Sequence, residues 1–356
     1  MRSAWRFEKA IGRLRPAVTE MAGAALPAAT AVALSFLCLS APLSAAEQPA
    51  QTEGSKAQVE ELLDKWGEHY SKASTLAERR EAFEKLMLKT PGPSRVQIRQ
   101  VDAGGVDAEL IWPARVHYPI GKRAVLYVHG GGFYSGSLDT HRASAASFAK
   151  AASADVLLID YRLAPEYPYP SQIDDTLTAY LWLLDSGYES GNIVVLGDSA
   201  GGNLAIEATL RQIRLKGPVP AAVIAISPIT DLAATGASIK ANAASDPFGN
   251  ALQIEAARKA YLGDRSAVDP KVSPLYADMK GLPPLLLQVG SREIALDDTL
   301  RFADKAREAG VDVTTEVLPG MIHQWQLFPF WLDDARRSNQ RAAEFALQHF
   351  ADKPRQ

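Results

Sequence analysis

Gly197-Asp198-Ser199-Ala200-Gly201 centres a serine in a G-x-S-x-G pentapeptide. The apolar run Ile193–Leu196 precedes it and the helix-prone stretch Asn203–Leu215 follows. A strand–turn–helix setting of this kind exposes a serine hydroxyl on a sharp, strained turn, where it can act as a nucleophile. Glycines two residues to either side let strand and helix pack closely. The helix N-terminus adds positive potential nearby. For the pentapeptide alone, the bland alternative is a glycine-rich turn that merely ends a strand. His129-Gly130-Gly131-Gly132-Phe133, behind the run Ala124–Val128, argues against that alternative. Consecutive glycines leave backbone N–H groups free to face an oxyanion. The expected donors are Gly131 and Gly132, with Ala200 as the third, each typically worth about 3 kcal/mol to a tetrahedral intermediate. A phosphate-cradling loop would need a following Lys-Ser/Thr, which this segment lacks. His129 is expected to order the loop rather than act as a base.

A serine hydroxyl is a weak nucleophile without a base. With this kind of turn the partners follow in the order Ser, acid, His. After Ser199 only His323 and His349 remain. His349 lies in a terminal helical stretch and reads as a surface residue. His323 ends Pro319-Gly320-Met321-Ile322-His323, just past the last apolar run, where a loop can carry an imidazole over Ser199. The acid should follow the penultimate run, Leu285–Val289. Its candidates are Glu293, Asp297 and Asp298. Glu293 is nearest the strand end, while Asp297 and Asp298 begin a helix, where capping is the simplest role. Glu293 and Asp297 both stay open. The acid's task is to hold the imidazole tautomer and stabilise the imidazolium. The set suits nucleophilic acyl transfer.

Positioning these residues takes a definite order of elements. Lys56 to Lys89 is charged and helix-prone, with Val59, Leu62, Leu63 and Trp66 at helical spacing. Two helices are expected there, stopped by Pro91-Gly92-Pro93. Val96–Arg99 and Ala108–Ile111 flank Asp102-Ala103-Gly104-Gly105, a hairpin signal. Apolar runs follow at Ala124–Val128, Val156–Ile159, Ile193–Leu196, Ala221–Ile226, Leu285–Val289 and Val311–Val317, with helix-length segments between most of them. The pattern predicts an α/β fold: an eight-stranded, mostly parallel sheet with helices on both faces. Asp231–Gly263 breaks the alternation and contains helix-like Ala251–Leu262. An insertion this long suits a lid or cap. The expected division is 1–46 leader, 47–94 linker and N-terminal helices, 95–230 core, 231–263 insertion and 264–356 core.

The 356 residues are 47% hydrophobic and 22% charged, which excludes disorder along most of the chain and a multi-span membrane protein. A net charge of −3 gives no strongly basic surface, so no nucleic-acid partner is expected. Cys38 is the single cysteine, so neither an internal disulfide nor a cysteine-rich metal site is possible. No two histidines stand at the i, i+4 spacing of a helical zinc motif. Residues 1–46 read as an export signal. Arg2, Arg6, Lys9, Arg13 and Arg15 give a basic start, Ala28–Leu39 is apolar, and Ser44-Ala45-Ala46 suits cleavage before Glu47. The alternative is an uncleaved N-terminal membrane anchor. Ser35-Phe36-Leu37 lacks the small residue expected before a lipidated cysteine. Cleavage would remove five basic and two acidic groups, moving the net charge from −3 to −6. The cysteine-free mature chain would be periplasmic or secreted, with no stable membrane insertion, and suits an oxidising compartment. Residues 47–55 read as a solvated linker.

Together these motifs resemble the hormone-sensitive-lipase-like branch of bacterial esterases, the family IV lipolytic enzymes. The match runs from about residue 60 to 350. It takes in HGGGF at 129–133, Asp160-Tyr161-Arg162-Leu163-Ala164-Pro165-Glu166, GDSAGG at 197–202, Ser227-Pro228, GSREIALDD at 290–298 and the segment ending at His323. The resemblance implies an α/β-hydrolase core, capped by the N-terminal helices plus an insertion. It implies a serine carboxylesterase for short- to medium-chain acyl esters, working through Ser199, His323 and an acid without metal or organic cofactor. Relatives often carry aspartate at the position of Glu293 and some carry glutamate. Arg292 stands where relatives frequently have an acidic residue. Glu166 and Asp198 match residues that brace the active-site loops. The same residues would serve a lactone, carbamate or acetylated-sugar hydrolase. A non-catalytic small-molecule-binding protein on this fold is disfavoured, because Ser199 and His323 are both present. An interfacial lipase is disfavoured by the lack of a large apolar lid run. The apolar cap helices offer a second use, as the surface of a homodimer.

Overall fold

The strands are β1 (Val96–Asp102), β2 (Asp107–Pro113), β3 (Ala124–Val128), β4 (Asp155–Ile159), β5 (Ile193–Asp198), β6 (Ala222–Ile226), β7 (Leu285–Gly290) and β8 (Val313–Leu318). They form one sheet in the order β1-β2-β4-β3-β5-β6-β7-β8. The first two pairings, β1 with β2 and β2 with β4, are antiparallel. All the others are parallel. The computed structural model describes residues 53–70, 73–87, 90–91, 94–114, 123–247 and 251–351, all within one unit of the chain, Glu47–Gln356. The leader, its alternative as an anchor, the cleavage site and Cys38 lie outside the described residues. Among the described residues no helix is long and apolar enough to cross a membrane.

The inner parallel strands β3 to β7 are largely apolar because both faces are covered, whereas the edge strand β8 is only partly buried. Alternate side chains supply two separate cores. On one face Leu126, Val195, Ala225 and Leu287 pack against α4 (Ser171–Asp185), α5 (Ala200–Arg214) and α8 (Leu296–Glu308). On the other, Tyr127, Val194, Leu196 and Leu286 meet α3 (Leu138–Ala152) and α9 (Asp333–His349). Ser137 begins α3 with a reciprocal capping box to Thr140. The last strand starts at Val313, two residues later than its apolar run. Gly310, at φ +82°, terminates α8, and the Val311 N–H donates back to the Ala306 carbonyl at 3.0 Å. That helix-ending bond holds Val311 out of the sheet.

A third core joins the N-terminal helices to the segment after β8. Trp66 from α1 (Glu53–Tyr70) and Phe83 from α2 (Leu76–Met87) pack with Met321, Ile322, Trp325 and Phe328. Full burial of side chains this size stabilises by roughly 1.5–3 kcal/mol each. The apolar faces of these two N-terminal helices pack within the chain and brace the loop that carries His323. Helix α1 takes in Glu53–Ser55, the end of the stretch 47–55 expected to be a linker, and the rest of that stretch lies outside the described residues. The insertion holds a short helix α6 (Ser238–Ala241) and α7 (Ala251–Leu262).

Candidate active site

Four strand ends converge on one edge of the sheet. The elbow after β5 carries Ser199, the neighbouring β3 leads into the glycine loop, β7 leads to Glu293 and β8 to His323. Crevices at the carboxyl ends of parallel strands are where α/β folds bind ligands. Ser199 has φ +52° and ψ −117°, a conformation that costs roughly 1–3 kcal/mol in a non-glycine residue. Its N–H donates to Ile226 O at 2.7 Å, and α5 starts at the next residue. Gly201 is obligatory at this turn: a Cβ there would lie 2.0 Å from the Val128 carbonyl oxygen.

Ser199 Oγ lies 2.9 Å from His323 Nε2, and His323 Nδ1 lies 2.9 Å from Glu293 Oε2. All three side chains are buried. With Nδ1–H donated to the carboxylate, Nε2 is left to accept the serine proton. Ser227 Oγ donates to the other carboxylate oxygen at 2.9 Å, and the Gly290 N–H donates to the same atom. Burial pushes the Glu293 carboxyl up. Burial alone would lower His323, but the hydrogen bond and charge of Glu293, with Asp246 and Asp198 behind, outweigh it and raise the imidazole. The two groups titrate as a pair.

The alternative acids do other work. Asp297 Oδ2 accepts the Ser238 N–H at 2.9 Å. Asp298 Oδ2 accepts the N–H groups of Thr230 and Asp231, each at 2.9 Å. Neither caps its own helix, contrary to the sequence expectation; both pin the strand β6 exit and the insertion to α8. Their position in the first turn made capping the local solution, and tertiary contact offered better donors. Asp246, which sequence reasoning passed over, accepts the Ile294 N–H at 2.7 Å beside the acid.

Gly131 and Gly132 adopt φ +118° and +61°. Among the described residues no hydrogen bond to another protein group occupies the N–H groups of Gly131, Gly132 or Ala200. His129 donates Nδ1–H to Gly130 O at 2.8 Å and stacks on Tyr161, with centroids 4.1 Å apart. Burial, then the neighbouring His141, lowers its imidazole to about 3, so it is a neutral brace. Arg80 of α2 holds the same loop from the cap side, donating to Tyr134 O and pairing with Glu166 at 2.6 Å. His349 sits half-buried at the end of α9, its Nδ1 donating to Phe345 O.

A cavity of about 120 Å³ opens between Ser199 and the cap. Tyr70 and Phe83 wall it from the N-terminal helices, and Leu232, Ile239, Ile254 and Ala257 from the insertion. Its lining is mainly apolar. Among the described residues no group of three or more His, Cys, Asp or Glu side chains is placed to hold a metal ion.

A family profile described as alpha/beta hydrolase fold matches residues 125–327. An esterase of Acinetobacter venetianus is 38% identical over 268 residues, spanning 75% of this chain and 87% of that relative. An acetyl-hydrolase of Streptomyces hygroscopicus is 38% identical over 246 residues, 69% of this chain and 81% of its own. The crystal structure of an esterase from the bacterial hormone-sensitive lipase family superposes with a TM-score of 0.79 at 36% identity, over 85% of this chain and all of that one. The chain belongs to the α/β-hydrolase family. Within it, the chain is a carboxylic ester hydrolase of the hormone-sensitive-lipase-like branch.

Proposed function

We propose that the chain is a serine carboxylesterase that hydrolyses short- to medium-chain acyl esters through an acyl-enzyme. Ser199 Oγ attacks the ester carbonyl while its proton passes to His323 Nε2. Glu293 holds the imidazolium so formed. The N–H groups of Gly131, Gly132 and Ala200 face the developing oxyanion. The imidazolium then gives its proton to the departing alkoxide as the carbon–oxygen bond breaks. Water, deprotonated by the same Nε2, attacks the acyl-serine, and the imidazolium returns that proton to Ser199 Oγ as the carbon–oxygen bond breaks and the acid leaves. The observation that carries this reading is the unbroken relay from Ser199 Oγ through His323 to Glu293, with both contacts at 2.9 Å.

Short acyl groups are favoured by the small apolar cavity closed by Tyr70 and Phe83. Likeness to an acetyl-hydrolase points the same way. Hydrolysis of p-nitrophenyl esters from acetate to palmitate, by the wild-type chain and by Ser199→Ala, tests the proposal. Turnover should peak at short chains and fall on the order of 10⁴–10⁶-fold in the variant. Turnover that survives the substitution would refute Ser199 as nucleophile. Export is proposed from residues 1–46: protein recovered from the periplasm or medium should begin at Glu47, whereas membrane-retained protein with an intact leader would mean an anchor.

A further inference from the structure

Gln324 follows His323 directly, is 1% exposed, and sits in the left-handed region at φ +56°. A non-glycine residue stays there only when its surroundings hold it. Its carboxamide Nε2 donates to Asp198 Oδ2, on the residue before the nucleophile. The other oxygen of that carboxylate, Oδ1, is buried with no hydrogen-bond partner among the described residues. Oδ2 takes the Gln324 donor and lies 3.4 Å from His141 Nε2. A Cβ on Gly130 would fall 2.2 Å from both Asp198 Oδ2 and Gln324 Nε2, so the glycine loop lies directly against this pair. At its backbone, Gln324 N–H donates to Ser227 Oγ at 3.2 Å, and Ser227 donates onward to Glu293.

We propose that Gln324 is a positioning residue for acyl transfer, tying the His323 loop to the Ser199 elbow by its side chain and to the acid by its backbone. The proposal rests on the serine-esterase reading above. The glycine loop, the elbow and the histidine loop meet at one amide–carboxylate contact. Both ends of the relay thus pass through the residue beside the base. Displacing the imidazole by a fraction of an ångström misaligns Nε2 with Ser199, and errors near 1 Å cost about 10²-fold in rate. A residue that only filled space could be replaced by any side chain of its volume.

Gln324→Met in the full chain keeps the volume and removes the donor. With p-nitrophenyl acetate we expect kcat to fall about 10- to 100-fold, with KM within about twofold. Labelling of Ser199 by a fluorophosphonate should slow in parallel. The pair Asp198→Asn with Gln324→Glu reverses donor and acceptor, and should recover at least about tenfold over Gln324→Glu alone. A folded Gln324→Met protein with kcat within twofold of wild type overturns the proposal. Should that variant fail to fold, a folded reversed pair no faster than Gln324→Glu overturns it instead. A wild-type chain that hydrolyses no ester but still labels at Ser199 would refute the esterase reading, and labelling rates would still judge Gln324.

Discussion

At the scale of single residues, the carboxylate of Glu293 pulls the proton affinity of the proposed base, His323, upward. Glu293 is sealed from water and faces His323 Nδ1, so the imidazolium is favoured above the ordinary histidine value. The base must be neutral to accept the serine proton. A raised imidazole pKa therefore places the acid limb of kcat/KM above about pH 6.5, and activity falls as pH drops through it. Glu293→Gln removes the charge that raises it. The limb should move to lower pH while kcat drops by at least about 10². A pH–rate profile of both proteins checks this, and a limb unmoved by the substitution would contradict the assignment of the acid. Spacing alone marked Ser199 and His323, because a pentapeptide elbow and the last loop leave few alternatives. It could not separate Glu293 from Asp297, since the choice turns on which carboxylate leaves the strand end facing the ring. Gln324 left no mark beyond its place next to a candidate base; its role depends on a partner 126 positions away in sequence.

At the scale of elements, the cap and the base are one mechanical unit. The N-terminal helices pack on Met321, Ile322 and Trp325 on either side of His323, and also wall the cavity. Phe83 belongs to both surfaces. Phe83→Ala should lengthen the acyl pocket, raising the kcat/KM ratio of octanoate to acetate several-fold, and should cost about 3–5 kcal/mol of stability. Chain-length profiles and denaturant melts measure the two effects. A destabilised protein with an unchanged profile would place the acyl chain elsewhere in the cavity. Six of the eight strands were read from apolar runs, because parallel strands buried on both faces leave so little polar alternation, and β1 and β2 from alternating stretches around a turn signal. The insertion was readable only as an interruption. Which of its residues reach the cavity depends on the path of Asp231–Leu262 over the sheet, and that path is set by Asp297 and Asp298 gripping its backbone.

At the scale of the whole molecule, the fold buries carboxyl groups that acyl transfer does not use, and they tie stability to pH. Glu207 lies on the same helix as the nucleophile elbow, 1% exposed, with Oε1 unpartnered among the described residues and Oε2 3.4 Å from Arg214. Burial outweighs the arginine and pushes its carboxyl up to about 8. Asp298 is pushed up to about 7, again by burial first. For a group whose folded value is raised, the unfolded chain loses its proton first as pH climbs. The folded state then binds more protons, and its stability declines from the unfolded value, near 4.5, up to the folded one. Between pH 6 and pH 9 the Glu207 contribution alone should fall by about 3 kcal/mol. Glu207→Gln keeps the shape and removes the titration. Its melting temperature should therefore gain on wild type as pH rises, by roughly 4 °C at pH 9 relative to pH 6. Thermal melts of both proteins across that range measure the gap. A gap that stays constant or narrows with pH would mean that Glu207 is already ionised in the folded protein, and that Arg214 rather than burial controls it.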